Sequence, residues 1–181
     1  MVGIQQLSLV QFRNYIKKEF HFTNRIVGIV GPNGVGKTNV LDALYYLSFT
    51  KSYFSRPDAQ NIHHAYQGLR IDGKYNINNN DVTITCIIRE NLKKEFYFDE
   101  EMYPKHSQHL GKIPCVMIAP DDVQIITGAS EERRKLMDSL LCQIHPNYLK
   151  FLIQYNKILL QRNSLLKLAS ETGNLDALLL E

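Results

Sequence analysis

The chain has no tryptophan, and its three cysteines include no CxxC pair. Cys86, Cys115 and Cys142 lie far apart in sequence, so neither a disulfide framework nor a zinc ribbon fits, and a reducing cytoplasmic setting is expected. No apolar stretch approaches the ~18–20 residues of a membrane span, which speaks against a membrane role. The opening MVGIQQLSLVQFRN lacks a charged start followed by a long apolar core, so it does not read as a secretory signal. A large charge excess is missing as well. The formal net charge of +3 permits a nucleic-acid partner without requiring one. His106 and His109 could share a helix face, but no cysteine or acid stands at a spacing that would complete a metal site.

What is present is an ordinary globular composition, 44% hydrophobic and 22% charged, over 181 residues, enough for one domain or slightly more. Leu7 and Leu9 lead in alternation to Phe12, and Phe20 and Phe22 flank His21, as in half-buried antiparallel strands. Ile26-Val-Gly-Ile-Val30 is apolar on both faces and predicts a central strand covered on both sides. After Thr38 the period becomes helical through Val40, Leu41, Leu44, Tyr45 and Leu47, to about Phe49. The stretch 51–68 reads as a loop-rich connection. Residues 70–98 alternate again and predict a three-stranded antiparallel meander, with turn chemistry at Asn78–Asp81 and Glu90-Asn91. Cys115–Ala119 predicts one more short strand, ended by Pro120.

From Glu131 the pattern is helical. Leu136, Leu140 and Ile144 form one stripe, Pro146 breaks it, and Tyr148, Leu152, Tyr155, Leu159 and Leu166 carry a long amphipathic helix onward. The last residues, Leu178-Leu-Leu-Glu181, are apolar with no cap or turn, the ending expected of a truncated chain. The expected division is therefore an α/β part over 1–128 and the start of a helical arm over 129–181.

The strongest local signal is Gly31-Pro-Asn-Gly-Val-Gly-Lys-Thr38, which satisfies G-x-x-x-x-G-K-[ST] between an apolar segment and a helix. Chance places those four residues at that spacing in such a chain well under about one time in a hundred. Glycines at 31, 34 and 36 permit positive φ and keep side chains away from the loop's amides. Those amides and the start of the following helix form an anion cradle. The chemistry implied is ATP binding: Lys37 reaches the β- and γ-phosphates, and the Thr38 hydroxyl is placed for Mg²⁺.

Hydrolysis needs further acids. Two stretches imitate a Walker B strand: Phe96-Tyr-Phe-Asp99-Glu100-Glu101, which alternates like a hairpin strand, and Cys115–Asp122, where Pro120 displaces Asp121 and Asp122 from the strand end. Neither is convincing, so the Walker B acid is expected beyond residue 181. Among the basic clusters, Arg133-Arg134-Lys135 is the first candidate for a DNA or dimer contact, against the plainer reading of a solvated helix face.

Taken together these elements resemble the RecF family, recombination mediator ATPases related to SMC and ABC-type heads. The resemblance rests on Leu7-x-Leu9-x-x-Phe12-Arg13-Asn14-Tyr15, on the P-loop continued through Asn39 to Leu47, on Pro120-x-Asp122 with Gly128 and Arg133-Arg134-x-x-x-Asp138, and on Gln161-Arg162-Asn163-x-Leu165-Leu166-Lys167. Lys51-Ser52 and Arg56 resemble a further family element, but with two residues inserted before the arginine.

The resemblance implies a P-loop ABC/SMC-type ATPase head: a mixed sheet plus an antiparallel β meander, with the start of an arm. Nucleotide contacts are carried over to Pro32, Asn33, Val35 and Asn39 in the loop and to Arg13 and Asn14 beside it. Also implied are an ATP-dependent homodimer, binding to double-stranded DNA at gap junctions, and action with RecR and RecO to place RecA. The signature loop, Walker B and catalytic acid follow the arm in that family. Two other readings are a small P-loop kinase, which should carry its own Walker B acid and an arginine-rich lid, and a transporter-type subunit, against which Asn39 argues.

Overall fold

The computed structural model describes residues 2–54 and 57–172. The chain forms two compact units, the first ending at Asp122 and the second beginning at Val123. In the first, strands β1 (Val2–Phe12), β2 (Tyr15–His21), β3 (Leu69–Ile77), β4 (Asn80–Ile88), β5 (Lys94–Phe98) and β6 (Glu101–Met102) form one sheet in the order β2-β1-β3-β4-β5-β6. Every pairing is antiparallel.

The expected meander is β3 to β5. Its first turn sits at Asn78 and Asn79, both at positive φ, where asparagine is among the better-tolerated residues. The period of two decides which face is buried. Leu7, Leu9, Phe12, Ile71, Tyr75, Ile84, Cys86, Ile88 and Phe96 point to one side and are almost fully buried. Helix α1 (Lys37–Phe49) covers that side with Val40, Ala43, Tyr46 and Leu47. The opposite face carries polar contacts, Arg70 to Asp72 along β3 and Thr85 to Asp72 across from β4.

Two expected strands do not join this sheet. Residues 26–30 and 115–119 lie in no ladder. Ile26 and Val30 are 88% and 91% exposed, and Val116 and Ile118 are 66% and 82% exposed. A run apolar on both faces signals two-sided cover, but it carries no information about which strands supply it. Among the described residues none does.

Buried polar groups tie the connections to α1. Thr50 closes the helix at positive φ, its N–H bonding the Tyr46 carbonyl at 2.8 Å. The Tyr46 hydroxyl donates to Asp58, which Lys94 meets at 2.9 Å while also donating to the Thr50 carbonyl. Burial, followed by the neighbouring Cys86 and Asp58, pushes the Tyr46 hydroxyl pKa far up. His109, set aside in the sequence for want of metal-binding partners, is a core residue. Its Nε2 lies 2.6 Å from the Leu47 carbonyl, so Nε2 carries the proton; Nδ1 faces the Tyr103 hydroxyl at 3.4 Å.

The second unit contains α2 (Gln124–Thr127), α3 (Ser130–Ile144) and α4 (Tyr148–Thr172). The sequence pattern indicated α3 and α4 with Pro146 between them; the single-turn α2 is too short to leave a period. Leu152, Leu159 and Leu166 form a half-buried stripe on α4. Tyr155, expected to join it, is 62% exposed, as are Phe151 at 62% and Leu160 at 71%. Residues 173–181, with the apolar ending, and Arg56 lie outside the described residues. No described helix is long and apolar enough to cross a membrane.

Burial lowers the pKa of His109 to about 4, against an unfolded value near 6.5. Between these values the unfolded chain takes up a proton that the native chain refuses, so stability is complete above about pH 6.5 and falls as pH drops toward 4. The loss should approach about 3 kcal/mol at pH 4. Urea unfolding of the wild type and His109→Gln across this range should show that dependence in the wild type and its removal in the variant.

Candidate functional site: a braced P-loop

The loop Gly31–Thr38 runs directly into α1, whose first turn contains no acidic residue to compete for an anion. Gly31, Gly34 and Gly36 all have positive φ, at 151°, 82° and 104°. Gly36 is doubly constrained: a Cβ there would stand 2.6 Å from Asn14 Nδ2 and 2.8 Å from the Tyr15 hydroxyl. Only glycine combines that backbone angle with that approach.

The close neighbours come from the β1–β2 hairpin. Phe12 pairs with Tyr15, which leaves Arg13 and Asn14 as a two-residue turn, with Arg13 at φ 52°. Asn14 Nδ2 donates to the Val35 carbonyl at 2.9 Å, and the Tyr15 hydroxyl donates to the Gly36 carbonyl at 3.2 Å. In a trans peptide the C=O and the next N–H point in opposite directions. Anchoring these two carbonyls behind the loop therefore turns the N–H groups of Gly36 and Lys37 the other way. This is how backbone dipoles become a cradle for phosphate. Lys37 Nζ folds onto the loop and donates to the Gly31 and Pro32 carbonyls, each at 2.8 Å. Thr38 lies exposed on the first turn of α1.

Arg13 was expected beside the nucleotide. Its guanidinium side chain is only 6% exposed and is ion-paired with the fully buried carboxylate of Asp42. It also donates to Asn39 Oδ1 at 2.8 Å, Asn61 Oδ1 at 3.2 Å and Ser52 Oγ at 3.1 Å. Asn61 in addition takes the Arg13 backbone N–H at 2.8 Å, which holds the turn in its left-handed conformation. The sequence reading gave Asp42, Ser52 and Asn61 no role, although Ser52 stood in the Lys51-Ser52 element and Asp42 in the stretch matched through Leu47. A charge at a core position of α1 was their one legible signal, because burial of Asp42 demands a cation.

The Walker B imitations are engaged elsewhere. Asp99 lies in the β5–β6 turn at φ 47° and accepts the Thr83 N–H at 2.7 Å. Asp122 accepts the Tyr53 hydroxyl and the Ala119 N–H, while Asp121 is exposed. Burial and then Asp122 raise the Tyr53 pKa. In the second unit, Arg133 donates to the carbonyls of Ile125 and Gly128, Arg134 to Ser130, and Lys135 pairs with Glu131 and Glu132.

A sheet backed by a helix that opens from a braced, glycine-rich phosphate loop defines the class: a P-loop ATPase head. Residues 3–112 match the RecF/RecN/SMC N terminal domain, and the chain belongs to that family. The DNA replication and repair protein RecF of Flavobacterium johnsoniae is 43% identical over 164 residues, covering 91% of this chain and 46% of that protein. The RecF of Parabacteroides distasonis is 40% identical over 164 residues, covering 91% and 45%. A solved structure of the recombination mediator protein RecF-ATPrS in the RecFOR pathway superposes with a TM-score of 0.90 at 28% identity, over 98% of this chain and 48% of that one. The chain thus spans about half the length of the curated relatives it matches. Family membership decides against the small-kinase and transporter readings.

Replacing Arg13 with Ala strands the Asp42 carboxylate in the core and should lower stability by roughly 3–5 kcal/mol. Arg13→Lys should recover only part of this, since one ammonium cannot serve Asp42, Asn39 and Asn61 as a forked guanidinium does. Urea titration of both variants measures it.

Proposed function

We propose that this chain is the ATP-binding part of a DNA replication and repair protein of the RecF type. The observation that supports this most directly is the loop: positive-φ glycines at 31, 34 and 36, with the carbonyls of Val35 and Gly36 held from behind, leave the amides to receive a polyphosphate. Lys37 then exchanges its two carbonyl partners for phosphate oxygens, a charge-assisted contact. Gly31, Pro32, Asn33, Gly34, Val35 and Gly36 shape the cradle, and Asn39 anchors its helix side. Arg13 and Asn14 act from behind the loop. Mg²⁺ would be held by the Thr38 hydroxyl together with the nucleotide, where it supplies neutralisation of phosphate charge. The carboxylate that would complete its ligand set, and the signature loop, belong to the remaining length of the RecF-type protein. This part accordingly binds ATP without efficient turnover.

In the whole protein, ATP drives homodimerisation and binding to double-stranded DNA at gap junctions, in a cytoplasmic pathway with RecR and RecO that places RecA. Arg133, Arg134 and Lys135 contact DNA phosphates. Their present partners are helix carbonyls, a serine and two surface glutamates, all exchangeable for phosphate at modest cost. Division of the chain into a head part over 1–128 and an arm over 129–181 belongs to the same reading.

Lys37→Ala should weaken binding of a fluorescent ATP analogue by roughly tenfold or more, given the worth of a charge-assisted contact, with the unfolding midpoint unchanged. Equal affinity would remove Lys37 from the site. Charge reversal at Arg133, Arg134 and Lys135 in the whole protein should flatten the log–log salt dependence of duplex binding, by roughly one unit for each phosphate that is no longer neutralised. An unchanged slope returns the cluster to the solvated surface.

A further inference from the structure

Asp42 stands on α1 beyond the P-loop, and the ATP reading uses no atom of it. Its carboxylate is fully buried and accepts from Arg13, from Ser52 Oγ at 3.0 Å and from the Tyr53 N–H at 2.8 Å. From Arg13 a line of hydrogen bonds leads to the loop. Arg13 donates to Asn39 Oδ1 at 2.8 Å, Asn39 Nδ2 donates to Asn14 Oδ1 at 2.8 Å, and Asn14 Nδ2 donates to the Val35 carbonyl at 2.9 Å.

The order of donors and acceptors in this line is fixed by the groups at its ends. A carboxylate only accepts and a guanidinium only donates. Asn39 must therefore turn its oxygen to Arg13, which leaves its nitrogen for Asn14. Asn14 must then turn its oxygen to Asn39, which leaves its nitrogen for Val35. Each side-chain amide could flip by half a turn at little cost in shape. The Val35 carbonyl, which likewise only accepts, asks for the same order from the other end, so the line is consistent throughout and Arg13 is its one charged member.

Resting on the ATP reading above, we infer that Asp42 is a positioning residue for nucleotide binding. By holding Arg13 it keeps in place the two-asparagine relay that anchors the Val35 carbonyl and so aims the Gly36 N–H into the cradle. A neutral side chain at 42 loosens Arg13, takes the fixed donor from Asn39, slackens the relay and allows the loop to relax around Lys37.

A mutant cycle of Asp42→Asn and Asn14→Ala tests this, with a ribose-labelled fluorescent ATP analogue as ligand and NMR of the asparagine side-chain amides as second readout. Each single variant should weaken binding by roughly tenfold or more, the size that supporting partners of a ligand-holding group carry. Together they should be little worse than one alone, because both cut the same line. Asp42→Asn should also shift the Asn39 amide signals. Arg13→Met/Asp42→Leu removes both buried charges together and should recover most of the stability lost by Asp42→Asn, while affinity stays low. Affinity that returns with stability, additive effects of Asp42→Asn and Asn14→Ala, or wild-type affinity in either would overturn the inference. A wild-type chain that binds no analogue would instead sink the ATP reading, so the two failures are distinguishable.

Discussion

A carboxylate buried on a helix is tolerated only where a cation is buried with it, and Asp42 obtains Arg13 from the tip of a hairpin more than twenty residues earlier in the sequence. Three pieces of chain meet at that ion pair. The β1–β2 turn brings Arg13, Asn14 and Tyr15; α1 brings Asp42 and Asn39; the connection after α1 brings Ser52 and Asn61. Because the guanidinium is forked, it can serve all three at once. The P-loop runs into that helix, and its Val35 and Gly36 carbonyls are held by Asn14 and Tyr15 of the same hairpin that carries Arg13.

The sheet makes this arrangement possible. β1 lies between β2 and β3, so the hairpin tip extends from a strand with neighbours on both edges. α1 packs by Val40, Ala43, Tyr46 and Leu47 on the buried face of the same sheet. Asn14 and Asn39 thus meet across elements that share one core. The far end of α1 is secured by different chemistry: Thr50 at positive φ, Lys94 and Asp58, and a neutral His109 on the Leu47 carbonyl. A helix fixed at both ends gives a phosphate loop that needs little reorganisation to bind, which is where preorganised sites gain affinity.

Much of this was legible in the residues. The period of two over β1, β2 and the meander, and the helical period after Thr38, are local consequences of which side chains face a core, and the structure follows them closely. The P-loop was readable because its requirement is local: small residues where φ is positive and amides must stay uncovered. The strands expected at 26–30 and 115–119 mark the limit. An apolar pattern reports that a segment seeks cover on both faces; hydrogen-bonded neighbours are chosen by topology.

The sequence by itself determined the local elements, the phosphate loop and, through its motifs, the family, because each depends on residues close together in the chain. Only the tertiary structure decided what Arg13, Asn14 and His109 touch. The resemblance offered the first two as nucleotide contacts, and the last found no partners to complete a metal site. The fold places Arg13 and Asn14 against the P-loop and its helix and His109 in the core. Asp42 stood in a matched stretch with no role assigned to it, and Asn61 in no motif; they matter because an arginine twenty-nine and forty-eight residues away is folded onto them. The reason is physical. A charge's role is set by the partners that replace its water, and those partners are supplied by packing across the chain.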